Sequence, residues 1–248
     1  MKKLYIFSYG LYPGQVTLET LLAMRECGEV YSHCLDAASA RQFRRYAPRL
    51  RLTGRLGLER TAAAVAAALG KHDTVGFLTY GNPLFLNQTA PLLAAAAARR
   101  RAEVRVFAAV SSFDALVNLF GLNPFSPAGL RLLDAGTWSA AQRLHPEMDT
   151  LVFVPDRLRG PGAAGRLEAF IEAARAAYPG AAPAFLADCY ASENSRHRTV
   201  AGTAGGLRAL LARAGERTTL FIPAVRAPEK KRPAGAAGRG KSRARGRG

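Results

Sequence analysis

Apolar runs of strand length alternate with amphipathic segments of helix length over residues 3–121, and this alternation restricts the fold more than any other feature of the sequence. Strands are predicted at 3–9, 29–35, 49–52, 73–80 and 102–110, and helices at 17–27, 37–46, 56–70, 88–101 and 111–121. Parallel strands need a crossover connection, which is usually a helix. The order therefore predicts an α/β fold in which a mostly parallel sheet is covered by helices on both faces.

A second alternating set begins after residue 148. Its predicted strands are 149–154, 183–191 and 217–224, and its predicted helices are 164–180 and 203–215. The segment 123–148 is turn-rich and poorly periodic, so it is interpreted as a crossover linker. The sequence thus predicts an N-terminal α/β domain at 1–122, a C-terminal α/β domain at 149–229 and a basic tail at 230–248.

Positive charge is concentrated in two segments of a chain whose net charge is +17. The tail has eight basic residues, no acidic residue and no apolar side chain able to anchor it, so it is predicted to be disordered. A tail of this kind can bind nucleic acid. The second segment, 41–60, has seven arginines and one glutamate. It is either an ordinary solvated surface or a site for an anionic partner, namely nucleic acid, a polycarboxylate or an acidic peptide.

The sequence lacks the signals of membrane insertion, secretion and metal binding. No run approaches the roughly 18 apolar residues of a transmembrane helix, and the apolar run near the N-terminus is shorter than the roughly 7–15 residues of a signal core. Cys27, Cys34 and Cys189 form neither a paired framework nor a C-x-x-C motif. The neighbours His33 and Cys34 are interpreted as a surface residue beside a strand residue. We therefore expect a cytoplasmic protein with no membrane partner and no metal site.

Three loops follow predicted strands, at 8–15, 79–85 and 108–112. Open parallel sheets bind ligands at the carboxyl ends of their strands, so these loops are candidates for a site. The third loop brings Ser111 and Ser112 to a helix start, where a serine either caps the helix or contacts a ligand. The sequence has no G-x-S-x-G elbow, Walker loop, H-E-x-x-H motif or close carboxylate pair. This pattern favours a reactive co-substrate that the protein positions.

Four segments in order resemble motifs of the S-adenosylmethionine-dependent tetrapyrrole methylases. They are YIFSYGLYPGQVTLETLLAMRECGEVY, TYGNPLF, VSSFDAL and GTAGGLRALL, and the likeness spans about residues 3 to 223. The resemblance implies two α/β domains, with a mostly parallel sheet in the first and a mixed sheet in the second. It also implies S-adenosylmethionine in the cleft between the domains, and a homodimer.

The resemblance further implies a set of donor-binding residues. The methionine part of the donor would lie in the turn Tyr80–Pro83, against an apolar wall of Leu84 and Phe85. The implied donor contacts are Tyr80, Gly81, Asn82, Pro83, Leu84, Phe85, Ser111, Ser112, Val154, Tyr190, Ala191 and Ser192.

Two features are most similar to the borosin-type peptide N-methyltransferases within this family. Asn82 stands where much of the family has Asp, and the sequence RTTLFIPAVRAPEK resembles the ending of that branch. The branch handles its acceptor with a Tyr/Arg cluster, which implies catalytic roles for Arg55, Arg60 and Tyr46. Arg41, Arg44 and Arg45 could join them in binding acceptor carboxylates.

The sequence therefore predicts a methyltransferase that uses S-adenosylmethionine and acts on a small molecule or peptide, either a tetrapyrrole-like molecule or a ribosomal peptide. Two alternatives follow from the strongly basic composition. The first is an RNA methyltransferase of the same fold, and the second is a non-catalytic relative that binds nucleic acid.

Overall fold

The described residues form two five-stranded sheets that follow one another along the chain. The computed structural model describes residues 1–54, 56–122, 129–160, 162–189 and 197–225. We call the first sheet, with strands between residues 3 and 106, sheet A, and the second, with strands between 130 and 222, sheet B. In these described ranges, no helix has the length and apolar character needed to cross a membrane.

Sheet A has the strand order β3-β2-β4-β1-β5, and all neighbouring strands are parallel. Its strands are β1 (Lys3–Ser8), β2 (Glu29–Ser32), β3 (Leu50–Leu52), β4 (Thr74–Thr79) and β5 (Glu103–Val106), and its helices are α1 (Leu18–Arg25), α2 (Ala37–Phe43), α3 (Gly57–Lys71), α4 (Thr89–Arg99) and α5 (Ser112–Phe120). The predicted parallel sheet is confirmed.

Alternating side chains of the central strands pack on the two faces of sheet A. Phe7 of β1 packs on one face with residues of α1 and α2, including Met24. Ile6 packs on the other face with residues of α3 and α4, including Leu69 and Leu93. The continuous apolar sequence of β1 follows from this burial on both sides.

Sheet B has the order β6-β7-β10-β8-β9. Its elements are β6 (Leu130–Asp134), β7 (Asp149–Phe153), α6 (Arg166–Ala177), β8 (Pro183–Asp188), β9 (Arg198–Thr203), α7 (Leu207–Leu211) and β10 (Thr218–Ile222). β6 and β7 are parallel, whereas the other pairs are antiparallel. The predicted mixed sheet of the second half is confirmed.

Two sequence interpretations in this half need correction. The supposed linker 123–148 contains β6, which pairs with β7 from Leu130↔Asp149 onward, so sheet B begins before residue 149. The helix predicted at 203–215 is shorter, because Thr203 ends β9 and its Oγ1 accepts a hydrogen bond from Gly206 N at 3.2 Å. The predicted basic tail, 230–248, lies outside the described residues.

An apolar cluster joins the carboxyl edge of sheet A to sheet B. It contains Leu11 after β1, Leu116 of α5, and Leu151 and Phe221 of sheet B. The ring of Phe85 in the loop after β4 meets Phe153 of β7 edge-to-face at a centroid distance of 4.9 Å. The loops that follow the strands of sheet A are therefore held against sheet B.

We expect Gly76→Ala to destabilise the fold, because the position has no space for a side chain. A Cβ at residue 76 would lie 2.6 Å from Phe7 Cζ and 3.0 Å from Cys27 Sγ. Such overpacking lowers the free energy of unfolding by about 1–3 kcal/mol. Urea denaturation would measure this change in the free energy of unfolding. Gly160→Ala is the control, since no atom lies within 4 Å of a Cβ at that position. Equal midpoints for the two variants would contradict this account of the core.

Candidate active site

A cavity of about 340 Å³ lies where the carboxyl ends of β2 and β4 face sheet B. Its walls come from the residues after β2, the first turn of α3, the loop after β4 with the start of α4, the start of α5, the end of β7 with the turn that follows, and the start of β10 with the residues before it. The lining residues are His33, Cys34, Leu58, Thr79, Tyr80, Gly81, Asn82, Phe85, Leu86, Asn87, Gln88, Thr89, Ser111, Ser112, Phe153, Val154, Arg157, Glu216, Arg217, Thr218 and Thr219. The location agrees with the general rule for open parallel sheets.

The turn after β4 is fixed by hydrogen bonds of its own. Gly81 has φ +63°, and its N–H donates to Gly10 O at 2.9 Å, which ties it to the loop after β1. Asn82 Oδ1 accepts from Leu84 N at 2.9 Å, and Asn82 O accepts from Phe85 N at 3.1 Å. The predicted turn residues Tyr80, Gly81 and Asn82 line the cavity as a result.

The two residues predicted to form an apolar wall lie in different places. Phe85 lines the cavity, but Leu84 is 67% exposed, because the tight turn at Asn82 directs it outward. Pro83 is buried behind the turn and is not part of the lining.

Ser111 and Ser112 both line the cavity at the start of α5. The N–H and the Oγ of Ser111 each donate to Asp114 Oδ2 at 2.7 Å. The pairing within the first turn of the helix fixes Ser111, which is 6% exposed. The position of this pair is therefore compatible with both roles, capping of the helix and contact with a ligand.

The wall from sheet B is built on a strained residue. Val154, directly after β7, has φ +47°, a region that β-branched residues rarely adopt. Such a conformation costs on the order of 1–3 kcal/mol and is typical of functional sites. Val154 O accepts from Arg157 N at 3.0 Å, so the strained residue begins the short turn that carries Arg157 into the lining. Leu86, on the opposite wall, has φ +53°.

His33 and Cys34 lie in the cavity lining directly after β2, although the sequence analysis did not place them in a site. The His33 ring stacks on Phe77 at 5.3 Å with an interplanar angle of 5°, and its Nδ1 is buried without a partner among the described residues. Burial lowers the pKa of His33 and raises the pKa of the Cys34 thiol, so both groups are neutral at pH 7. The usable sequence signal was their position at the carboxyl end of a predicted parallel strand.

Two tyrosine rings and one guanidinium lie together at the remaining side of the cavity. The Arg217 guanidinium lies 5.2 Å from the centre of the Tyr80 ring, and Tyr80 meets Tyr9 edge-to-face at 6.2 Å. Glu216, beside Arg217, is an exposed carboxylate of the lining. Within the described ranges, no three side chains of metal-ligating type come together.

Two of the three residues predicted to be catalytic, Tyr46 and Arg60, do not line the cavity. Tyr46 lies toward the amino end of sheet A, because α2 runs back along the sheet and Arg49, three residues later, accepts a hydrogen bond from Val30 N near the start of β2. Arg60 is exposed on the first turn of α3 and is not in the lining, although Leu58 of the same turn is. Arg55 lies outside the described residues, as do Tyr190, Ala191 and Ser192.

Solved structures with the same fold include several methyltransferases. The uroporphyrin-III C-methyltransferase of Thermus thermophilus is 16% identical with a TM-score of 0.65, over 90% of this chain and 92% of its own. The structure of its complex with S-adenosyl homocysteine is 15% identical with a TM-score of 0.63, over 89% of this chain and 97% of that chain. A cobalt precorrin-4 methyltransferase of cobalamin biosynthesis is 14% identical with a TM-score of 0.64, over 89% of this chain and 94% of that chain. No curated protein matches the chain significantly in sequence.

The family model described as tetrapyrrole (corrin/porphyrin) methylases matches residues 3–224, which include both sheets and every described wall of the cavity. The chain therefore belongs to the tetrapyrrole methylase family, whose members are methyltransferases.

Proposed function

We propose that this chain is a methyltransferase that binds S-adenosylmethionine in the cavity and transfers its methyl group to a tetrapyrrole-like acceptor. One observation carries the proposal. Residues expected to contact the donor come from three distant segments, and Gly81, Ser112 and Val154, one from each, line the same cavity. The S-adenosyl homocysteine complex of the Thermus thermophilus enzyme supports the same choice of donor.

The lining fits a donor of this kind. Nothing lies within 4 Å of the position that a Cβ of Gly81 would occupy, so the turn leaves space for a ligand close to the backbone. Phe85 and Phe153 form an apolar wall that excludes water. When bound, S-adenosylmethionine supplies an electrophilic methyl group on a sulfonium. The protein then has to hold the acceptor in line with that methyl group at near-attack distance.

We assign His33 as the general base that accepts the proton released by methyl transfer. Transfer of a methyl group to a C–H, N–H or O–H acceptor releases one proton. Neutral His33 lies in the lining and can accept it. Stacking on Phe77 fixes the plane of the imidazole ring, so the base is held in one orientation.

The site favours a tetrapyrrole-like acceptor over a peptide. One of the two sequence features that favour the peptide branch is Asn82, but its Oδ1 accepts a hydrogen bond from Leu84 N within the turn. An Asp carboxylate could accept the same bond, so Asn82 does not discriminate between acceptors. Of the residues expected to handle a peptide acceptor, the two that the structure describes, Tyr46 and Arg60, are not in the lining, and Tyr46 lies toward the opposite edge of sheet A.

Gly81→Leu is expected to weaken the binding of S-adenosylmethionine at least about tenfold, because the new side chain enters the donor space and strains the left-handed backbone. Gly121→Leu is the matched control. Gly121 has φ +61° against +63° for Gly81, has no atom within 4 Å of a Cβ, and lies outside the lining. Isothermal titration calorimetry would measure both variants. Equal affinity of the Gly81 variant and the unmodified chain would contradict the donor site.

His33 is expected to titrate below the ordinary histidine value of about 6.5, because burial disfavours its charged form. The unfolded state then binds the proton more readily, so stability is complete above about pH 6.5 and falls as the pH decreases below it. NMR of ¹³C-histidine-labelled protein would give the pKa, with the resonance assigned from His33→Gln. A pKa at or above 6.5 would contradict the neutral base.

Methyl-labelled S-adenosylmethionine is expected to label the reduced form of uroporphyrin III and not an unstructured peptide. His33→Gln should slow the labelling by about 10²–10⁴-fold while it leaves donor affinity within about twofold. Mass spectrometry of the products and calorimetry of the same variant would test both statements. Labelling of the peptide alone would overturn the acceptor assignment, whereas donor affinity would still report on the donor site.

A further inference from the structure

We propose that the chain binds a nucleic-acid strand through its phosphates on an arginine face that is separate from the cavity. We define the arginine face as Arg25 at the end of α1 together with Arg41, Arg44, Arg45 and Arg49 of α2 and the segment that follows it. The inference does not depend on the proposed methyltransferase function.

The arginine face is a concentration of exposed cations without acidic partners. From residue 37 to residue 58 the sequence contains no Asp or Glu. All five arginines of the face are exposed, and within the described part of the chain none of them forms an ion pair. By contrast Arg51, two residues after Arg49, is paired with Glu29, and Arg105 and Arg208 on other parts of the surface are each paired with a glutamate.

Tyr46 organises the centre of the face. The guanidinium carbons of Arg25 and Arg45 lie 5.1 Å and 4.7 Å from the centre of its ring. Arg44 Nη1 donates to Leu50 O at 3.4 Å. These contacts restrain charged side chains that would otherwise move freely, so less conformational entropy is lost when they bind an anion.

Arg25 and Arg49 of the face lie near the amino edge of sheet A, whereas the cavity lies at its carboxyl edge. Arg49 O accepts from Val30 N near the start of β2, whereas His33, which lines the cavity, follows the end of β2. The same separation applies to Arg25, since α1 ends shortly before β2 begins. An acceptor held in the cavity therefore does not account for these arginines.

The arrangement fits a phosphate polymer best. The cations are spread over an exposed surface rather than gathered around a pocket, which suits a regular row of charges more than one small anion. A nucleic-acid strand carries one charge per roughly 3.4 Å, and the planar guanidinium matches phosphate geometry. The exposed positions of α2 are Ala37, Ala38, Arg41 and Gln42, which offer no large apolar side chain to enter a lipid surface.

The test is fluorescence anisotropy of the full-length chain with a fluorescein-labelled single-stranded RNA of 20 nucleotides and mixed sequence. The triple variant Arg41→Glu, Arg45→Glu, Arg49→Glu should weaken binding at least about tenfold. It should also reduce the log–log salt slope by about two, since three phosphate contacts are lost. The control is Arg143→Glu, Arg175→Glu, Arg213→Glu, which makes the same change in net charge at exposed arginines outside the face.

The control variant should bind RNA within about threefold of the unmodified chain. Circular dichroism checks the fold, and the corresponding Arg→Gln variant replaces the Glu variant if the latter unfolds. Arg41→Lys, Arg45→Lys, Arg49→Lys keeps the charges and should retain most of the affinity. Equal effects of the face and control variants, or no effect of either, would place binding outside the face and overturn the proposal. Displacement of the RNA by poly-glutamate at equal charge would also overturn it, in favour of an acidic protein partner.

Discussion

The candidate active site depends on the apolar contact between the carboxyl edge of sheet A and sheet B. Phe85 meets Phe153 across this contact, and Leu116 and Leu151 belong to the same buried cluster. Because these side chains exclude water, the loops after β1 and β4 are pressed against β7 rather than solvated. The cavity is the space that the cluster leaves unfilled at its polar margin, where His33 and Ser111 lie. A substitution at Leu116 or Leu151, which belong to the cluster but do not line the cavity, would therefore be expected to change the distance between the cavity walls.

The strained backbone conformations of Val154 and Leu86 are related to this apolar contact. Both residues have positive φ, both line the cavity, and they lie on opposite walls. Strain of this kind persists only where surrounding packing over-determines the conformation. Val154 follows the buried strand β7, and Leu86 follows Phe85, which is anchored on Phe153. The apolar contact therefore stabilises the fold and also supplies the free energy that holds both walls in a conformation suited to a ligand.

Local patterns in the sequence predicted the strands and helices of sheet A and the turn at Gly81, because apolar alternation and turn residues are features of neighbouring positions, and the strand–helix order then implied parallel pairing. β6 was missed because Leu130–Asp134 is a short strand in a turn-rich segment and gains its stability from pairing with β7. His33 was missed because the strand was predicted to continue to residue 35, whereas β2 ends at Ser32 and His33 follows it at the cavity. Tyr46 was assigned to the site because it is near in sequence to Arg55, but the direction of α2 places it toward the other edge. Errors of this type arise wherever the chain reverses direction between a motif and the site.

The separation of the arginine face from the cavity resolves an electrostatic conflict in a chain with a net charge of +17. The proposed donor is a cation, so clustered arginines beside the cavity would oppose its binding. β2 has four residues, which span about 13 Å at the usual rise of roughly 3.3 Å per residue. This distance exceeds the Debye length of about 8 Å at physiological ionic strength, so exposed charges at one end of the strand are largely screened from the other. One parallel sheet can therefore present the proposed polyanion-binding face near its amino edge and a partly apolar cavity at its carboxyl edge, where the charged side chains of the described lining are Arg157, Glu216 and Arg217.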